Sequence, residues 1–264
     1  MRLRCLIDLS NSKQIRHGDC VGCEVNCEEN EVSESRPYRF IVVASQCASW
    51  VVGQVLRVRY DIRVHRPTGT FDSRAHCLIL SPTHKSVLDP WLLMIGLDFP
   101  HFRNVLPIRT LATQTFVGRL RWLRWFKPLI KIMYRLEGVV ELPPDNNGNG
   151  FHGERVRGLL GALSDGDVVA IFPEGEIWRK RHPPIGEFAP GVVYLQRKSG
   201  AAILPIATWM SQGTWPRRRY VVQVGRPVHI PEDLDLNDGA AWLRKQVLRL
   251  EKEAKQKEPL ICST

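Results

Sequence analysis

His76-Cys77-Leu78-Ile79-Leu80-Ser81-Pro82-Thr83-His84-Lys85-Ser86-Val87-Leu88-Asp89-Pro90 carries the fold reading of this 264-residue chain. Its first five residues read as a short buried strand, and Pro90 to Ile95 reads as a helix after the intervening loop. The same succession extends on both sides. Upstream, Arg57 to His65 alternates, with Val58, Tyr60, Ile62 and Val64 on one face and Arg57, Arg59, Asp61 and Arg63 on the other, which predicts a half-buried strand near a sheet edge. Downstream, strands are expected over Asn104–Ile108, Gly138–Leu142, Asp167–Phe172, Ala202–Ala207 and Tyr220–Val224. Helices are expected up to Leu136, over His152–Leu163 and from about Asp238 to Lys257. Strands alternating with helices predict an α/β fold, a single domain built on a mostly parallel mixed sheet flanked by helices.

Composition sets the outer limits. Hydrophobic residues make up 44% and charged residues 24%, enough apolar material for a core, which excludes a disordered tail, a collagen-like fibre and a small disulfide scaffold. The net charge is +10, but residues 1–36 carry −2, so the chain from residue 37 onward holds +12. Such a body expects an anionic partner: nucleic acid, a phospholipid surface or a phosphorylated small molecule. The division expected is a polar, disordered extension over 1–36, a domain over 37–258 and a tail over 259–264. Within the extension His17, Cys20, Cys23 and Cys27 copy the ligand spacing of an iron–sulfur run. Their surroundings from Glu24 to Glu34 are acidic and polar with no element pattern to hold a site, so no metal is expected. Seven cysteines and only Cys5-Leu6-Ile7 between Arg4 and Asp8 argue for a reducing compartment and against a secretory leader.

Residues 40–56 are seventeen without a charge, the lower limit for a membrane span, and Ser45, Gln46, Ser49 and Gln54 weaken it. An interfacial helix over 37–56 is the expectation. Between Asp98 and Glu137 stand eight basic and no acidic residues. On a helix, Arg121, Arg124, Lys127, Lys131 and Arg135 share roughly a third of a turn, and Trp122, Trp125, Phe126, Leu129 and Ile132 lie outside it. Pro128 should kink or split that helix. The pattern fits helices covering a sheet. It also fits a membrane-surface face in which Arg121, Trp122, Arg124, Trp125 and Lys131 meet anionic lipid. No nucleic-acid-binding module is recognisable, and no nucleic acid partner is expected.

His84 and Asp89 lie in the loop after a buried strand, where α/β sheets place their ligands. The spacing alone is weak, since eight histidines give about 0.4 chance matches, and Asp89-Pro90 also reads as a helix cap followed by its first residue. A second constellation ends the strand Asp167–Phe172: Pro173-Glu174-Gly175-Glu176, then Trp178-Arg179-Lys180-Arg181. An acidic residue at a strand end beside cations suits a ligand site, and Gly175 lets a ligand approach the backbone.

Together the His-x4-Asp block with Ser86 inside it, Phe172-Pro173-Glu174-Gly175, Phe188 with Gly191 opening a helix, and Ile203-Leu204-Pro205-Ile206-Ala207 resemble the glycerolipid acyltransferase family, over roughly residues 57–228. The resemblance implies a glycerol-3-phosphate acyltransferase-like fold and transfer of a fatty acyl group from acyl-CoA or acyl carrier protein to a lysophospholipid hydroxyl, with 1-acylglycerol-3-phosphate as the first-choice acceptor. It implies His84 as general base and Asp89 as the group that orients it, without an acyl-enzyme and without a cofactor. Ser86, Glu174, Gly175, Arg179 and Arg181 are implied as substrate-binding residues, and the cytoplasmic face of a membrane as the location. Departures from the family pattern concern the acceptor. Glu176-Ile177-Trp178 replaces the usual Thr-Arg-Ser, Gly138 to Pro144 lacks the usual Arg, and Thr83 stands where Asn is usual. Arg179, Lys180 or Arg181 then binds the phosphate, or the acceptor is another lysolipid. The reading from another class is a non-catalytic lipid-surface binding protein on the same fold.

Overall fold

Strands buried on both faces need helices on both faces, and the chain supplies them in alternation. The computed structural model describes residues 36–71, 75, 77–86, 88–113, 127–142, 157–175, 177, 184–210 and 218–257. The His17, Cys20, Cys23 and Cys27 spacing, Arg121, Trp122, Arg124, Trp125, Arg179, Lys180 and Arg181 lie outside these residues. In chain order the elements are α1 (Arg36–Gly53), a 3-10 turn (Gln54–Val58), β1 (Tyr60–His65), β2 (Leu78–Pro82), α2 (Asp89–Gly96), α3 (Phe99–Asn104) and β3 (Ile108–Thr113). Then follow α4 (Lys127–Leu136), β4 (Val139–Leu142), α5 (Arg157–Ser164), β5 (Val168–Ala170), α6 (Gly191–Ser199), β6 (Ala202–Met210), β7 (Arg218–Val224) and α7 (Leu236–Lys257).

One seven-stranded sheet runs in the order β1-β7-β6-β2-β5-β3-β4. All its pairs are parallel except β6 with β7, so β1 and β7 run against the other five. Period-2 alternation distributes side chains to two apolar layers. Ile79, Val169, Ile203 and Ala207 meet Leu159, Leu163, Val192, Leu195 and Leu243 of α5, α6 and α7. Leu80, Ala170, Leu204, Ile206, Tyr220 and Val222 meet Leu92, Ile95 and Phe102 of α2 and α3 on the opposite face. The α/β architecture with a mixed, mostly parallel sheet is the expected one.

Several boundaries differ from expectation. The upstream strand begins at Tyr60, because Gln54–Val58 closes as a 3-10 turn that leaves Val58 71% exposed. The strand after His76 begins at Leu78, since Cys77 takes a left-handed φ of 49° that interrupts extended backbone. Asn104–Ile108 is not a strand: Phe99–Asn104 forms α3, with Pro100 in its first turn and Phe102 buried, and extended pairing starts only after Pro107. At the C-terminal helix, Asp235 accepts the Asn237 and Asp238 N–H groups at 2.7 Å each, which starts α7 two residues before the expected Asp238.

Helix α1 is held to the body by polar groups. The Ser45 and Ser49 hydroxyls donate to Glu137 Oε1 at 2.9 and 2.5 Å. Gln46 Nε2 donates to the Ile108 and Glu137 carbonyls while its oxygen accepts the Ile108 N–H. Arg39 pairs with Asp167 at 2.5 Å, and Asp167 also pairs with the buried Arg109 at 2.9 Å. Burial pushes the Asp167 carboxyl above its ordinary pKa, against the opposing pull of both guanidinium groups. Gly138 sits beside this junction at φ 68°, where a Cβ would meet Val42 at 2.8 Å and Arg109 at 3.1 Å. Asp167→Ala strands the Arg109 charge inside the protein, with an expected loss of about 3 kcal/mol of unfolding free energy by urea denaturation.

Candidate active site

The loop after β2 is shaped by one carboxylate. Asp89 is fully buried, and its two oxygens face four donors. Oδ2 takes the Lys85 N–H at 2.5 Å, the Ser86 N–H at 2.6 Å and His84 Nδ1 at 3.3 Å. Oδ1 takes the Tyr220 hydroxyl at 2.9 Å. The expectation that Asp89 caps α2 is corrected here. Leu88 holds the cap position without a side-chain bond, and the Asp89 carboxylate turns back onto the preceding loop. A buried anion demands donors, and the loop N–H groups lie nearer to it than those of the next turn.

With Nδ1 engaged by Asp89, Nε2 is the ring nitrogen left to face a substrate. The imidazole lies against the Phe172 ring, centroids 4.3 Å apart at 33°. Phe172 stands two residues after the end of β5, so the two motif blocks of the sequence meet in this contact. The second link is Glu174, whose Oε2 accepts the His84 backbone N–H at 2.5 Å and whose Oε1 accepts that of Gly186 at 3.1 Å. Burial pushes the Glu174 carboxyl up, while those N–H groups and then Lys85 and His84 oppose the shift. Gly175 turns the chain at φ 69°, and a Cβ there would meet nothing within 4 Å among the described residues, so its side faces open space.

The structure therefore brings His84, Ser86, Asp89, Glu174 and Gly175 together. The Ser86 hydroxyl accepts the Leu88 N–H at 3.2 Å and so belongs to the loop's own framework. Lys131 lies exposed on α4, with no hydrogen bond or ion pair to these residues among the described ones. Two neighbours escaped the sequence reading. Lys85 is half-buried, its ammonium pKa pulled down by burial against the opposing pull of Glu251, Glu174 and Asp89. Tyr220 comes from β7, and its inward position in a strand pattern was readable although its partner was not. Among the described residues no cluster of three or more His, Cys, Asp or Glu could hold a metal ion.

An apolar cavity reaches the same corner. Leu80, Pro90, Leu93, Met94, Phe172 and Ile206 are among the residues that line it. Phe172 thus forms the partition between cavity and imidazole.

Comparison with known proteins bears on this arrangement. A family model described as Acyltransferase matches residues 57–209. The solved structure of the 1-acyl-sn-glycerophosphate (LPA) acyltransferase PlsC from Thermotoga maritima is similar in fold, with a TM-score of 0.53 at 15% sequence identity over 84% of this chain and 83% of that one.

Glu174→Gln tests the clamp between the two loops. An amide keeps the shape but turns one acceptor into a donor facing an N–H group, and the expected cost is about 1–2 kcal/mol in chemical denaturation.

Proposed function

Because the chain belongs to the acyltransferase family, we propose that it moves a fatty acyl group from acyl-CoA or acyl carrier protein to the free hydroxyl of a lysophospholipid, with His84 as the base. The observation that carries this reading is the His84–Asp89 pair in the loop after β2, with Nδ1 committed to a buried carboxylate and the ring packed on Phe172. Nε2 takes the proton from the acceptor hydroxyl as its oxygen attacks the thioester carbonyl. Asp89 holds the ring in one tautomer and offsets the charge of the imidazolium. Collapse of the tetrahedral intermediate breaks the C–S bond, and the imidazolium returns its proton to the departing thiolate. Lys85 is a nearby cation for the developing oxyanion. No protein nucleophile and no cofactor enter this scheme.

For the acceptor, 1-acylglycerol-3-phosphate is the first choice, with Arg179, Lys180 and Arg181 as phosphate ligands. The sequence favours one alternative, another lysolipid, because the usual Arg positions of the motif blocks are replaced.

The reading places the enzyme on an anionic membrane surface through α1. By length and composition Pro37–Val58 could cross a membrane, with mean hydropathy 1.4 and 17% of it buried. Its side chains are sorted the opposite way from those of a water-facing helix. Ser45, Gln46 and Ser49 face the protein, whereas Pro37, Phe40, Ile41, Ala44, Ala48, Val51, Val52 and Val55 are exposed. That exposed stripe recurs at helical spacing and is wholly apolar. Helix α4 packs beside it and exposes Leu129, Ile132, Met133 and Leu136 together with Lys131. A helix tied down along one side and apolar on the other suits an interface better than a span.

Two measurements check the proposal. Lysolipid acceptors incubated with one acyl-CoA, with products identified by mass spectrometry and free thiol followed, should show acceptor-dependent transfer that drops about 10³-fold in His84→Ala while unfolding stays cooperative. Undiminished transfer by that variant would end the assignment of His84. In vesicle sedimentation, Val51→Ser with Val55→Ser, which removes apolar surface without adding charge, should cut binding to anionic liposomes about tenfold on the scale of apolar transfer energies, without lowering Tm.

A further inference from the structure

Three hydroxyls stand in line behind Asp89. Thr83 and Tyr220 are fully buried and Thr208 is 1% exposed. The Thr208 N–H donates to Thr83 Oγ1 at 2.9 Å, and the two threonine hydroxyl oxygens are 2.9 Å apart. The Thr208 side chain is the other polar neighbour of the Tyr220 hydroxyl, and it pulls the phenol pKa down against the larger upward effect of burial. Tyr220 donates to Asp89 Oδ1 at 2.9 Å, and Asp89 Oδ2 receives His84 Nδ1. The Thr208 hydroxyl also lies 3.2 Å from the Thr83 carbonyl, to which it can donate; with that proton turned to Tyr220 instead, each hydroxyl donates onward to the next: Thr83 to Thr208, Thr208 to Tyr220, Tyr220 to Asp89. Hydrogen bonds aligned in one sense polarise one another, and the effect is largest where water is excluded.

Resting on His84 as the base, we propose that Tyr220, backed by Thr208 and Thr83, is a positioning residue that fixes the Asp89 carboxylate and thereby holds the His84 imidazole for acyl transfer. The phenol does not touch substrate. It occupies Oδ1, the oxygen of Asp89 that accepts neither of the loop N–H groups, both of which go to Oδ2. Without that donor the carboxylate turns to find another, and Nδ1 follows it. Burial first, and the neighbouring Asp89 charge second, hold the phenol pKa well above its ordinary value, so Tyr220 remains a donor throughout the working pH range. Thr83 occupies the position before the histidine as the first member of the relay. Its hydroxyl engages β6 and so connects the β2 loop to the strand that carries Thr208.

Steady-state kinetics on the full chain, with acyl-CoA and the best acceptor of the lysolipid panel, test this. Tyr220→Phe should lower kcat about tenfold with both KM values within twofold of wild type. Thr208→Val should lower kcat about threefold, whereas Thr208→Ser, which keeps the hydroxyl, should stay within 1.5-fold of the parent. Tyr220→Phe with kcat within twofold of wild type overturns the proposal. So does an equal loss in the two Thr208 variants, which would mark a packing role. The Thr208 pair keeps the test open should Tyr220→Phe fold poorly. An inactive His84→Ala beside a fully active Tyr220→Phe removes only this inference, and an active His84→Ala removes the reading beneath it.

Discussion

A carboxylate with no exposure to water governs this molecule. Asp89 is an ionisable group inside an apolar layer, and such a group is tolerated only when every lone pair finds a donor. Four donors answer that demand, two from the loop backbone, one from the imidazole and one from a phenol on β7. Satisfying Asp89 therefore winds the loop after β2, orients His84 and ties the start of α2 to β7. Much of the local geometry that looks designed for chemistry is also the solution to a solvation problem.

Glu174 repeats the device on the other side of the histidine. Its two oxygens join the backbone of the β2 loop to that of the segment before α6. His84 is thus gripped twice, by its ring through Asp89 and by its main chain through Glu174, with Phe172 packed on the ring. A histidine constrained at backbone, ring nitrogen and ring face keeps one orientation, and preorganisation of that kind lowers the reorganisation left for the reactive encounter.

Element types were legible because they follow from periodicity, and the sheet with helices on both faces emerges as read. Boundaries were less legible where a local choice depends on distant packing: Val58 fits an alternating pattern but lies in a 3-10 turn, and Asn104 reads as opening a strand but closes α3, which Phe102 anchors in the apolar layer. His84, Asp89 and Glu174 could be found by motif, whereas their partners could not. Asp89-Pro90 looks like a helix start, and only the folded loop shows the carboxylate turned backward. Tyr220 reads as one more inward residue of a strand, since nothing in a linear pattern reveals a polar contact across 131 positions. The polar residues of α1 were read as weakening a span, and the structure uses them to bond the helix to the body.

The reversed pair of strands has a consequence for how the chain is made. Among the described residues β1 pairs only with β7, and Tyr60 meets Arg218 across more than half the chain. A ribosome that has delivered β1, β2, α2, β5 and β6 has delivered a strand with no neighbour, a sheet whose edge at β6 is open, and an Asp89 that still lacks its phenol. Closing so long a loop is slow, and an open parallel edge in the meantime invites association with other chains. Biosynthesis thus leaves the Asp89 network unfinished until β7 arrives, so that the His84 loop acquires its full set of partners only when the sheet is completed.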